Sequence, residues 1–418
     1  MPSVEKVPCH PRSLILLAYY YLPDNTSGVQ RAVRLAKYLP RHGYDTIVVC
    51  SSHAGELPGA QNVLHVPDTA NRWPRVKFWS TLAARVQRFF LPYNEQLPWV
   101  PYAIAAAQHL ISQRRVAAVV STSPPLASHF AALWLKKRHG LTWIADFRDP
   151  LLGNPVRSRK WAKLYDMVLQ RWIFSHADAV IAVTDAVANE WRARYPYWAH
   201  KIHLIWNGFD PEDAIGPAPI PPRPYRILAH IGILYVQRHP LAMASSMERL
   251  LRRGLLDAGS IRLRFVGPIQ QEVQFTSHPA IAALMQNGCL EMDGQLVPRQ
   301  QAMRELATSD FLLLLDIVNL SNVGYTVPAK LYDYVLAGRP VLAVTDHGSP
   351  VERILAQSGI LYVCLYHDDS DEELDRKLLT FFQLPTEPRN PSPWFLEQFD
   401  GSRQAENVAG LLNKLFKE

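Results

Sequence analysis

The sequence predicts an α/β protein of two domains, each a parallel sheet with helices on both faces. Three observations carry this. Short apolar runs of strand length alternate with segments of helical periodicity along the chain, the pattern of repeated strand–helix–strand units. The length, 418 residues, exceeds one typical core and suits two of about 200 residues each. Six prolines fall within residues 211–224 (Pro211, Pro217, Pro219, Pro221, Pro222 and Pro224), where neither helix nor strand can run. The expected division is therefore residues 1–210, a linker at 211–224, residues 225–394, and a helical tail at 395–418 able to pack back across the boundary.

Taken in order, residues 13–20 (SLILLAYY) form an apolar strand, residues 22–28 a turn-rich loop, and residues 29–39 a helix. In that helix Val33, Leu35, Ala36 and Leu39 are interleaved with Arg31, Arg34 and Lys37. Residues 46–50, 117–121, 142–146, 179–184 and 203–206 read as further strands, and 128–137 and 160–175 as helices. After the linker, strands are expected at 227–232, 261–266 and 311–315, with helices at 240–253 and 299–307. Residues 322–344 (NVGYTVPAKLYDYVLAGRPVLAV) then read as loop, helix, turn and strand: Pro328 suits a first helical turn, Gly338 stops the helix, and an apolar strand follows.

Ligands of such sheets bind beyond the carboxyl ends of the strands. The residues there are 21–28, 121–125, 146–149 and 184–185 in the first domain. In the second, Lys330 opens a helix whose free N–H groups and dipole already favour an anion, with Asp333 three residues on. Asp146 and Asp149 end a strand, where a carboxylate is placed to orient or deprotonate a hydroxyl; an ion pair with Arg148 or another cation is the competing reading. His129 on its helix reads as structural, the Asn207–Gly208 pair as a turn, and Asp185 as a helix cap.

Charge is unevenly divided. Residues 1–210 hold 25 Lys and Arg against 13 Asp and Glu, net +12, so the remainder carries −5 to give the total of +7. Residues 72–99 interleave Trp73, Phe78, Trp79, Phe89, Phe90 and Trp99 with Arg72, Arg75, Lys77, Arg85 and Arg88, which suits contact with an anionic membrane surface, the alternative being core aromatics beside solvated cations. No nucleic-acid recognition motif accompanies the basic half. Cys9, Cys50, Cys289 and Cys364 are scattered without a CxxC pair, which argues against a zinc site or disulfide framework and for a reducing cytoplasm. The N-terminus lacks a signal peptide's apolar core, and no uncharged apolar run has the length of a membrane span.

Four strings together, DNTSGVQRAVRLAKYL, STSPPLASHFAALWLKKRHGLTWIADFRDP, ADAVIAVT followed by WNGFD, and VPAKLYDYVLAGRPVLAV, resemble the family-4 retaining glycosyltransferases, in particular the branch that builds bacterial surface polysaccharides. The resemblance implies the GT-B fold, two Rossmann-like domains with parallel sheets facing across a cleft. It implies transfer of a sugar from a nucleotide-diphosphate donor to a hydroxyl of a glycan or lipid-linked acceptor, with retention and without metal or other cofactor, at the inner face of the membrane. By position, Gly28 matches the glycine of the first loop, Arg238 a cation for the donor phosphates, Leu296 and Val297 a loop touching the base, and Asp333 the second acid of a Glu-x7-Glu element that holds ribose. Lys330 adds positive charge. The family's first acid is replaced by Tyr325, and its arginine after Gly232 by Ile233. Those two departures favour the alternative, a nucleotide-sugar-binding or scaffold protein of the same fold without activity.

Overall fold

The computed structural model describes residues 12–24, 28–68, 96–154, 157, 162–214, 216, 218–236, 238–270, 275–295, 297–317 and 324–417. The chain divides into two compact units, Met1–Asp210 with Asp400–Glu418, and Pro211–Phe399.

The first unit is built on a sheet of seven strands: β1 (Arg12–Ala18), β2 (Tyr44–Ser51), β3 (Val63–Val66), β4 (Val116–Ser123), β5 (Thr142–Phe147), β6 (Ala179–Ala182) and β7 (Ile202–Leu204). Their order is β3-β2-β1-β4-β5-β6-β7, and every pairing is parallel. The second unit has six: β8 (Arg226–Ile231), β9 (Ile261–Val266), β10 (Leu290–Asp293), β11 (Phe311–Leu315), β12 (Val341–Thr345) and β13 (Tyr362–Tyr366). They run β10-β9-β8-β11-β12-β13, again all parallel. The central strands are continuous apolar runs because helices cover both faces. All five residues of β11, FLLLL, are buried, as are the last five of β1. In each sheet the strand order reverses once, between β1 and β4 and between β8 and β11, the positions at whose carboxyl ends ligands of open α/β sheets bind.

The helix Lys330–Ala337 starts two residues after Pro328, so the proline precedes the helix instead of entering its first turn. Gly338 closes it at φ 71°, a conformation open to glycine. Arg339 follows, 1% exposed. Its guanidinium donates to the carbonyls of Ala307 (2.7 Å), Thr386 (2.9 Å) and Ala218, pinning the proline-rich segment, the last turn of the helix Arg299–Thr308 and one loop to one charge. Arg339→Ala leaves three carbonyls without this donor. It is expected to cost at least ~3 kcal/mol at about 1–3 kcal/mol per orphaned group, read as a lower urea midpoint for the second unit.

The tail departs from the single helix expected. It breaks at Asp400, whose Oδ1 accepts from Ser402 N–H at 2.7 Å, into Pro393–Phe399 in the second unit and Gly401–Leu415 in the first. The second of these buries Ala405, Val408 and Leu412 with Leu35 and Tyr38 of the helix Gln30–Tyr38. Among the described residues no helix is long and apolar enough to cross a membrane. Trp99 is fully buried, its ring edge-on to Tyr19 at 5.6 Å, so it is core and not the lipid-facing anchor expected of it. Arg72 and the rest of that segment to Glu95 lie outside the described residues.

Candidate functional site

The expected site residues fall into two sets, one in each unit. In the second unit the site forms where β8 and β11 end. Gly232, directly after β8, takes φ +117°, and a Cβ there would lie 2.7 Å from Lys330 Cε and 2.9 Å from its Nζ. Only glycine lets the lysine lie across this turn. Lys330 Nζ is 2.8 Å from His230 Nε2 and 3.4 Å from the Ile233 carbonyl. Burial, and next the positive charge of Arg238, pull the Lys330 ammonium down to about 7. Arg238, on the loop after β8, has a buried Nε with no hydrogen-bond partner among the described residues. A guanidinium so placed is a donor awaiting an acceptor.

Asp316 follows β11, accepting from Ile317 N–H at 2.8 Å and from Thr345 Oγ1 at 3.1 Å. Burial lifts its carboxyl to about 6, against the opposing pull of Arg238. Neither His230 nor Asp316 was among the expected site residues, though each was visible as a polar residue ending an apolar strand, in RILAHIG and FLLLLD.

Asp333 is held in an ion pair. Arg299 grips it at both oxygens, Nη1 to Oδ2 at 3.1 Å and Nη2 to Oδ1 at 3.0 Å. Val297 is half-buried just before the helix Arg299–Thr308, while Leu296 lies outside the described residues. Tyr325 is half-buried in the loop leading to Lys330.

In the first unit, Gly28 is clasped by Arg148, whose Nη1 donates to the Gly28 carbonyl, Nη2 to Pro124, and Nε to Ser123 at 3.1 Å. A Cβ on Gly28 would lie 2.7 Å from Arg148 Nη1, so the glycine admits the guanidinium. One arginine thus ties together the loops that follow β1, β4 and β5.

Asp146 requires a correction. It is fully buried, and both its oxygens are taken: Arg31 Nε donates to Oδ2 at 2.9 Å and Nη2 to Oδ1 at 2.8 Å, with Thr122 Oγ1 on Oδ2 at 2.9 Å. Arg31, 2% exposed, also donates to the carbonyls of Trp206 and Ile205. A carboxylate so enclosed cannot reach an acceptor hydroxyl. It holds the framework, while Asp149 is half-buried beside Arg148. His129 is fully buried, its Nδ1 at 2.8 Å from Ser121 Oγ, with burial pushing it down to about 3. Asp185 is not the cap of its helix: Thr184 Oγ1 accepts from Val187 N–H. Among the described residues no three His, Cys, Asp or Glu side chains are grouped to hold a metal.

Residues 27–213 match the family described as Glycosyltransferase Family 4. No curated protein sequence matches the chain. Among solved structures, sucrose-phosphate synthase from Thermosynechococcus elongatus superposes with a TM-score of 0.65 at 11% identity, over 97% of this chain and 99% of that one. A glycosyltransferase from Rickettsia africae gives 0.60 at 14% identity over 98% and 99% of the two chains. HepE from Anabaena, in complex with UDP-glucose, gives 0.60 at 12% identity over 96% and 99%. The fold is GT-B. At these identities the likeness is one of architecture, and a shared fold does not fix the chemistry.

Proposed function

We propose that this chain is a retaining, metal-independent glycosyltransferase that moves a sugar from a nucleotide-diphosphate donor to a hydroxyl of a glycan or lipid-linked acceptor, in the making of a cell-surface polysaccharide. The observation that carries the reading is the pair Lys330 and Arg238, two cations at the carboxyl ends of the central strands without a carboxylate hydrogen-bonded to either among the described residues. A departing nucleoside diphosphate develops negative charge as the glycosidic bond breaks, and fixed cations beside a helix N-terminus stabilise that charge without metal. The structural relative HepE, crystallised with UDP and with UDP-glucose, supports a uridine donor as the first to test.

In this reading Lys330 and Arg238 hold the diphosphate, and the ion pair of Asp333 with Arg299 presents the remaining carboxylate lone pairs to a ribose hydroxyl. Val297 and Leu296 border the base. Gly28 and Asp149 belong to the acceptor side, Gly28 by close backbone approach and Asp149 by orienting the attacking hydroxyl. Retention is taken as attack from the face the leaving group departs, so no carboxylate nucleophile is assigned. A membrane-facing role for the basic aromatic residues from Arg72 to Phe90, Trp99 excepted as core, and a cytoplasmic site of action complete the proposal.

The test is a panel of nucleotide sugars, UDP-glucose first, scored for thermal stabilisation and for nucleoside diphosphate release with extracted lipid-linked acceptors. Stabilisation by one donor and acceptor-dependent release are expected. No stabilisation by any donor overturns the reading. Binding without release across the acceptors favours the non-catalytic alternative, for which Tyr325 in place of an acid is the specific argument.

A further inference from the structure

His230 is 2% exposed at the carboxyl end of β8, inside the second unit's core and in contact with the proposed phosphate site. A polar ring at such depth must have its hydrogen bonds met. Its Nδ1 lies 2.9 Å from the carbonyl of Leu313 on β11, which can only accept, so Nδ1 carries the proton. Nε2 then holds a lone pair, and Lys330 Nζ stands 2.8 Å from it. Burial and the adjacent ammonium both keep the ring neutral, well below its ordinary range.

We propose that His230 is a positioning residue for Lys330: a neutral acceptor, locked by β11, that holds the ammonium over Gly232 and leaves its charge uncancelled for an anionic ligand. The inference rests on the phosphate-binding reading of Lys330 for its ligand, and on geometry alone for the His230–Lys330 coupling.

The chemistry selects an imidazole here. A carboxylate at the same place would bind the ammonium as Arg299 binds Asp333, and the pair would offer little net charge to a phosphate. An apolar side chain would leave the ammonium, among the described residues, the Ile233 carbonyl at 3.4 Å alone. Among the described residues, the groups facing the lysine from its neighbours are few. Arg238, from the loop after β8, disfavours its charge, and His230, from β8, accepts its proton. Asp316, after β11, acts on Arg238, and Asp333, on the lysine's own helix, is held by Arg299. The imidazole is therefore the acceptor that keeps Lys330 charged near neutrality.

Competitive acetylation of the whole protein across pH, read by mass spectrometry at Lys330, measures its titration without any ligand. Wild type is expected to titrate near 7. His230→Leu and His230→Asn both withdraw the acceptor from Lys330, the second while keeping a polar group near Leu313, and are expected to move the midpoint down by about one to two pH units. The asparagine variant keeps the test decisive if the leucine variant does not fold. His230→Gln, which returns an oxygen near the Nε2 position, is expected to restore most of the shift. An unchanged midpoint in the asparagine variant, or an equal fall in asparagine and glutamine variants, overturns the proposal. Titrating UDP-glucose against the same proteins separates the two readings: a midpoint that follows His230 in a protein that binds no UDP-glucose overturns the donor assignment alone.

Discussion

Asp146→Ala is expected to destabilise the first unit by about 3–5 kcal/mol, the usual cost of stripping one partner from a buried ion pair. The variant strands Arg31, 2% exposed, without its one carboxylate hydrogen-bond partner among the described residues, and Thr122 without that acceptor. At this size that corresponds to a fall in melting temperature on the order of 10 °C. Arg31→Ala should cost about as much. The double variant Arg31→Met with Asp146→Leu should recover a large part of the loss, since removing both charges removes the desolvation cost along with the attraction. The more telling variant is Asp146→Asn, which keeps the shape and one acceptor oxygen. A general base contributes about 10²–10⁴-fold in rate, whereas a framework residue lowers activity only as far as the fold loosens. Turnover of the proposed transfer within about tenfold of wild type, measured well below the melting transition, is expected. A hundredfold loss with an unchanged melting temperature would return Asp146 to the acceptor site.

The same residue shows what the sequence could and could not disclose. Strands such as FLLLL at 311–315 were legible because both faces are buried and the run is unbroken. The edge strands β3 and β10 were not, because, Val66 apart, their side chains are half-buried or exposed and present no long apolar run. Lys330 was legible as a cation at a helix start, a local property. Arg31 was hidden as one of three cations interleaved with the apolar residues of its helix, since its partner Asp146 is 115 residues away and nothing local announces the burial. The Arg299–Asp333 pair was hidden for the same reason. His230 lay between: its position at a strand end was plain, but its role depends on Leu313 and Lys330, which only the fold brings to its two nitrogens.

Lys330→Met is expected to weaken UDP-glucose binding while leaving the second unit as stable as wild type or more so at pH 7. The two effects have one origin. Burial and Arg238 hold the folded-state lysine near 7, below the 10.5 of an unperturbed side chain, so the charged form is disfavoured in the folded protein. The unfolded chain then binds the extra proton between those values, and the lysine's contribution to stability rises with pH from about 7 and is lost as pH falls through it. At about 1.4 kcal/mol per pH unit, a shift of this size represents a few kcal/mol, discounted for partial exposure. Methionine removes that penalty and fills similar space, at the cost of leaving His230 Nε2 without its donor, about 1 kcal/mol. The first term is the larger, so stability should not fall. Affinity should, because a hydrogen bond from an ammonium to phosphate is worth about 1.5–3 kcal/mol, or roughly 10- to 100-fold in Kd. For wild type the pH dependence follows with the same sign: as pH drops from 8 to about 6, Lys330 gains its proton and Asp316 begins to lose its charge beside Arg238, so UDP-glucose should bind more tightly. Calorimetric titration at several pH values, with melting curves on the same samples, reads all of this. A methionine variant that melts lower and binds UDP-glucose unchanged would place the phosphate elsewhere.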